Sequence, residues 1–256
     1  MRKLFALLTI FSTLSLCAQQ GFVRNDGQWQ NPSKFVYRFG ANSLFVTSDS
    51  LIFSILNPQD QHHHHAPEKH HYADTLHYAN FSLKFKNSSA LNWRGRDAYS
   101  HENHFYLGHR SNWRSNVPSF QSLIAEDVYP GIDIVIYPSA GGVKYDWIVK
   151  SGADPSQITT VYGGVEGLDV LPKKVRIRTA IGVLKEELPY AFQGNNEVRA
   201  KYLRSKDEVK INLGEYDRTQ GLIIDPIYIF STYSGSSSDN FGYTATFDDN
   251  GNAFGG

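Results

Sequence analysis

The chain runs to 256 residues yet contains one cysteine, Cys17, and one methionine, Met1. A single thiol excludes an intramolecular disulfide and any zinc site built on several cysteines. Charge of one sign is missing too, since 25 Lys and Arg stand against 25 Asp and Glu. Such a balance gives no electrostatic reason to seek nucleic acid or anionic lipid. Only one long apolar run exists, Leu4 to Leu16, and its 13 residues fall short of the ~20 needed to span a bilayer as a helix. An integral helical membrane protein is therefore not expected. Beyond that run, no window of about 11 residues or more carries a 3.6-residue apolar stripe, which argues against amphipathic helices. A G-x-S-x-G elbow, a P-loop and a dinucleotide fingerprint are all absent.

What is present begins with an export signal. Arg2 and Lys3 give a positive start, Leu4 to Leu16 an apolar centre, and Cys17-Ala18-Gln19-Gln20 a small and polar exit. Residues 1–18 read as a cleavable signal peptide, with a mature N-terminus near Gln19 or Gln20 and a protein at the cell surface or beyond. A lipid anchor on Cys17 is the alternative, although lipid attachment favours a small residue just before the cysteine and Leu16 stands there. Cleavage removes Arg2 and Lys3, leaving 23 basic against 25 acidic residues, a net of −2, and no thiol. An exported domain without disulfides is held by its core alone, which ~200 residues can supply. Hydrophobic residues at 41 % and charged residues at 20 % fit a globular chain rather than a disordered one.

The periodicity is two almost everywhere. In Asn80 to Lys86, Phe81, Leu83 and Phe85 alternate with polar residues, as a half-buried strand requires. Ile132, Ile134 and Ile136 lead through Pro138-Ser139-Ala140-Gly141-Gly142 to Val143, Tyr145, Trp147 and Val149. Two alternating runs around a Gly-Gly turn predict a β-hairpin with Trp147 on its inward face. Val175 to Thr179 and Val183 to Glu187 predict a second. Strands are also expected at Leu51 to Leu56, Val198 to Leu203, Val209 to Leu213 and Leu222 to Ile224. Many short strands with frequent turn signals indicate an all-β antiparallel sandwich or barrel-like domain.

Candidate chemistry is thin. Residues 57–77 hold seven of the ten histidines, including His62 to His65 and His70-His71. Neutral imidazole binds Zn, Ni and Cu, but a low-complexity insertion between strands is the plainer reading, with nothing to pre-organise a site. His101-Glu102-Asn103-His104 resembles a zinc-protease motif in letters only, being one residue short between Glu and His. In a strand its two histidines would point to opposite faces. Glu126, Asp127, Glu186 and Glu187 are the carboxylates that would have to pair across a cleft in a glycosidase. Trp29, Trp93 and Trp113 lie in polar, loop-like stretches, where an exposed ring can stack on a sugar or a partner, or else pack at the core's edge. No catalytic, cofactor or metal residue is assigned.

Several motifs do carry a resemblance. Val128 to Tyr137 continues through Gly142 to Val149 and on to Gly152-Ala153-Asp154-Pro155-Ser156-Gln157-Ile158. The opening Phe22-Val23-Arg24-Asn25-Asp26-Gly27-Gln28-Trp29, then Asn112 to Pro118, Gly214-Glu215-Tyr216-Asp217 and Ile223-Ile224-Asp225-Pro226 follow the same pattern. Together they resemble the uncharacterised N-terminal β domain found ahead of SBBP-type β-propeller repeats in large exported bacterial proteins. The resemblance covers about Gly21 to Pro226, and the His-rich insertion departs from it. Ile229 to Asn240, Gly242-Tyr243 and Phe247 to Ala253 resemble the first such repeat, with Ser234 and Ser236 in place of the usual Leu and Gly. Asp248, Asp249 and Asn250 suit a hairpin turn better than a Ca²⁺ loop, because no later Glu completes the ligand set. The resemblance implies residues 19–226 as the β domain and 227–256 as a truncated repeat of a longer chain. It further implies a non-catalytic surface module, often in gliding-motility-associated proteins that carry a C-terminal secretion or sorting domain. Its partners would be the downstream repeats, a surface protein or a glycan. The competing expectation is a secreted carbohydrate-binding or glycoside-hydrolysing protein.

Overall fold

The computed structural model describes residues 21–58, 60, 75–139, 142–206, 208–229, 245–247 and 253–255. The leader and the histidines between 61 and 74 lie outside these residues. No α-helix occurs among the described residues, where short 3₁₀ turns such as Arg110–Asn112 and Pro155–Gln157 interrupt an otherwise antiparallel β structure. None of their helices could cross a membrane.

One arm of the sheet is a meander of β1 (Phe22–Arg24), β2 (Phe35–Phe39), β3 (Asn42–Val46), β4 (Ser50–Leu56) and β5 (Tyr78–Phe85). It continues onto β12 (Thr159–Gly163), where Thr160 pairs with both Phe85 and Val209, and so onto β18 (Glu208–Leu213) and β17 (Ala200–Ser205). The other arm starts at β9 (Ser119–Tyr129), whose Ala125 is flanked by Trp93 of β6 (Trp93–Ala98) and Ile134 of β10 (Ile132–Ser139). It runs through β11 (Gly142–Val149), β19 (Leu222–Ile229), β15 (Gly182–Gln193), β14 (Lys174–Thr179) and β13 (Gly167–Leu171). Short β16 (Asn196–Val198) pairs with β15. β9 also pairs with β1, which joins the two arms. At the far end β13 approaches β17 without a ladder; the Tyr202 amide donates to the Pro172 carbonyl at 3.0 Å and Arg204 Nη1 to the Leu168 carbonyl at 3.0 Å. The result is a nearly closed barrel-like sheet around one core.

Both predicted hairpins form, as β10–β11 and β14–β15. The inward register also holds. Ile134, Trp147, Ile224 and Ala191 make one buried row across β10, β11, β19 and β15. Trp147 is fully buried, with Phe85 edge-on at 4.8 Å and Tyr129 at 6.0 Å. At the β9–β10 turn Gly131 has φ +72°, a conformation that favours glycine, and a Cβ there would sit in tight contact, 3.0 Å, with the Ala153 side chain. Gly95 of β6 lets the Phe120 ring lie directly against its backbone, in space a Cβ would fill.

Three local expectations change. The strand expected over Val198 to Leu203 breaks at Arg199 into β16 and β17. Trp93 is buried at 8 % exposure rather than lying in an open loop, because it begins β6 and its Nε1 donates to the Thr47 carbonyl at 2.9 Å. Of His101 to His104, only Asn103 and His104 are in a strand. Strand β19 continues through Pro226 to Ile229, pairing Ile227 with Glu187. Farther on, β20 (Ala245–Phe247) and β21 (Ala253–Gly255) pair as the two strands expected beside the Asp248 to Asn252 turn. That ribbon pairs with no strand of the main sheet, and the fold of a propeller repeat is not established by it.

Candidate functional site

Exposed apolar side chains gather at a ribbon of β7 (Asn103–Phe105) and β8 (Arg114–Val117), which makes a sheet of its own. Its loop carries a 3₁₀ turn, Arg110–Asn112, capped by His109, whose Nδ1 accepts the Ser111 amide. Tyr106 is 55 %, Leu107 81 % and Trp113 38 % exposed. The Tyr106 and Trp113 rings meet edge to face at 5.5 Å, His104 lies nearly parallel to Tyr106 at 6.1 Å, and the Arg110 guanidinium sits 5.4 Å above the Trp113 ring. Exposed rings held against one another and under a cation form a surface whose burial by a partner is favourable.

The opening motif braces this ribbon. Asn25 Oδ1 accepts the Gly27 and Trp29 amides, and its Nδ2 donates to the Trp29 and Ser33 carbonyls. Gln28 bonds the Asp26 amide and the Arg24 carbonyl. These side-chain bonds replace regular structure between β1 and β2. The loop so fixed meets the ribbon at three points. Arg114 Nε donates to the Asp26 carbonyl at 2.6 Å, Gln30 Nε2 to Asn112 Oδ1 at 3.3 Å, and Trp29 is edge-on to Phe105 at 5.2 Å. Residues 25–29 and 112–118, separate in sequence, therefore form one surface unit. Of the three tryptophans singled out from sequence, Trp29 and Trp113 belong to it and Trp93 does not.

The four candidate carboxylates are not brought together in a cleft. Glu126 pairs with Arg94 at 3.1 Å on the surface. Asp127, at φ +48°, forms a bulge in β9 where its amide donates to Asp133 Oδ1 and Lys150 bridges both acids. Glu187 follows Glu186 on β15, and its carbonyl accepts the Tyr202 hydroxyl. Glu186 is 2 % exposed and points inward. Its Oε1 accepts the hydroxyls of Tyr145 at 3.0 Å and Tyr202 at 2.8 Å, and its Oε2 accepts that of Tyr162. Burial, then the nearby Glu186 charge, hold the Tyr202 hydroxyl well above its ordinary pKa. The tyrosines come from β11, β12 and β17, so the acid ties both arms of the sheet from within. Sequence marked Glu186 only as one of 25 acidic residues; inward placement opposite Val175 was the missing information.

A second acidic group lies on the outer face. Asp146 Oδ1 accepts the Tyr137 hydroxyl at 3.0 Å, and Asp146 and Asp225 are within hydrogen-bonding reach of each other. Among the described residues no group of three or more His, Cys, Asp or Glu side chains is arranged to hold a metal ion. Two open surface grooves are present, one around Asp49, Lys84 and Lys86 and the other around Arg199, Lys201 and Asn212.

A family model described as Domain of unknown function (DUF7948) matches residues 22–227, from the start of β1 into β19. The chain belongs to that family. Searches of curated proteins and of solved structures returned no match. The DUF7948 domain thus coincides with the nearly closed sheet, its interior acid and the braced ribbon.

Proposed function

We propose that the DUF7948 domain is a non-catalytic interaction module of an exported bacterial cell-surface protein, and that the β7–β8 ribbon is its contact surface. One observation carries this reading. Tyr106, Leu107 and Trp113 are exposed together on a ribbon that residues 25–30 hold in place through the Arg114–Asp26 and Gln30–Asn112 hydrogen bonds and the Trp29–Phe105 ring contact. Tyr, Trp and Arg are the residues that concentrate binding energy at interfaces. Export rests on the leader sequence. The SBBP-type repeat rests on residues 229–253, and both are part of the proposal. The edge-to-face meeting of Tyr106 and Trp113 and the Arg110 above Trp113 suit an inserted protein side chain better than a flat pyranose ring.

Photocrosslinking in the exporting cell tests this. A benzoylphenylalanine at Tyr106 or Trp113 is expected to trap one defined partner, while the same probe at Lys201 traps none. A polysaccharide adduct at Tyr106 would instead support the carbohydrate-binding alternative. Adducts at Lys201 equal to those at Tyr106 would remove the ribbon's special standing.

A further inference from the structure

On the outer face, the row beside Trp147 reads Val135, Asp146, Asp225 and Tyr190 across β10, β11, β19 and β15. Val135 pairs with Asp146 and Tyr190 with Asp225, while the Trp147–Ile224 register carries Asp146 opposite Asp225. Like charges directly opposite each other on neighbouring strands are destabilising. Asp225 Oδ1 is nevertheless buried and without a hydrogen-bond partner, a costly position for an ionised oxygen. Ile148, Ile223 and Phe192 flank the pair on this face, all partly buried. We infer that Asp146 and Asp225 share a proton, and that this shared proton locks β19 onto β11, making the strand that leads out of the domain pH-sensitive.

The surrounding groups support a titration near neutrality. Burial, joined by the facing Asp225, pushes the Asp146 carboxyl up to about 6, and burial raises Asp225 as well. From β10, Tyr137 donates to Asp146, and its own pKa is raised by burial first and then by the two acids. From β11, Lys144 acts the other way, lowering both carboxyls. From β15, Tyr190 stands opposite Asp225, with Glu187 beyond the bulge that follows it in the ladder. Asp133 of β10, next on this face, is already paired with Lys150. The sign follows from linkage. A folded pKa raised above the unfolded value gives stability that is present in acid and lost as pH rises through the folded pKa. Acidification toward pH 5 therefore tightens the β11–β19 seam, and alkaline conditions leave two facing charges there.

The test uses the mature chain, with Asp146→Asn and Asp225→Asn beside it. The wild type is expected to melt about 3–6 °C higher at pH 5 than at pH 8, and each Asn variant to lose most of that difference while melting no lower than wild type at pH 8. The carboxyl carbons of Asp146 and Asp225, followed by ¹³C NMR, should both respond to one shared upper titration step that lies above the ordinary carboxylate range. Carboxyl carbons that both titrate in the ordinary range near 4 overturn the shared proton. A melting difference that survives in both Asn variants assigns the pH dependence to other groups and overturns the lock.

Discussion

Glu186 gives the sharpest stability test, because its environment separates charge from shape. Hydrogen bonds to a charged group contribute about 1.5–3 kcal/mol each. The carboxylate takes three phenol hydroxyls, but Tyr202 also reaches the Glu187 carbonyl at 3.0 Å and keeps that acceptor when Glu186 is changed. Two bonds are then lost outright, so Glu186→Leu is expected to cost about 3–6 kcal/mol. Glu186→Gln keeps the length and one acceptor oxygen, which limits the loss to about 1–3 kcal/mol. Against a total stability of about 5–15 kcal/mol, the Leu variant would sit near the edge of folding. Replacing Glu186 by Leu together with Tyr145, Tyr162 and Tyr202 by Phe should recover part of the loss, since an apolar substitute for a complete buried polar group is often tolerated. Urea denaturation followed by tryptophan fluorescence measures all three variants, with the m-value showing that the native surface burial is retained. A Glu186→Leu variant within about 1 kcal/mol of wild type would mean that the three phenols are not held by this acid, and the argument that it ties the arms together would fail.

Other perturbations have clear directions. Trp147→Ala removes a fully buried ring packed on Phe85 and Tyr129 and should cost about 3–5 kcal/mol in the same assay; Arg94→Ala, which breaks a surface pair with Glu126, should cost less than about 0.5 kcal/mol. At the acid end, Asp49 is held down to about 2 by Lys84, Thr47 and Ser50. A depressed pKa contributes stability above the ordinary carboxylate range that disappears as pH falls from about 4 toward 2. That loss should shrink in Asp49→Asn and at high salt, and an acid transition indifferent to both would assign it elsewhere.

Sequence period two was enough to read the hairpins and the inward face of β11, because alternation has only two registers and Trp147, Tyr145 and Val143 occupy one of them. It did not reveal which strands meet. The pairing of β5 with β12, or of β11 with β19, joins segments some 75 residues apart through backbone bonds that leave no local signature. Trp93 was misplaced because its neighbours Arg94, Gly95 and Arg96 are polar or small. Only the outer strand position of β6 and the close approach of Phe120 to Gly95 explain that composition. The ribbon was half legible. Trp29 and Trp113 stood out as aromatic residues in polar stretches, whereas Tyr106 and Leu107 gave no signal until the loop was seen to present them.

The same division explains why the interior acid and the ribbon belong to different tasks. The sheet does not close by a ladder between β13 and β17, where one amide and one guanidinium bridge the strands. A seam of that kind exposes strand edges that invite pairing with other chains. Glu186 on β15 draws Tyr202 of β17 and Tyr162 of β12 toward it from the opposite arm, so the seam is closed by convergence on a charge rather than by backbone pairing. With closure secured from inside, the outer loops are released from holding the sheet together. Residues 25–30 can then spend their side chains on the ribbon, where Asn25 and Gln28 satisfy backbone groups and Arg114 reaches back to Asp26. Tyr106 and Trp113 are thus exposed on a ribbon braced by the opening loop and anchored by the buried Val117, and a surface organised before contact loses less entropy on association.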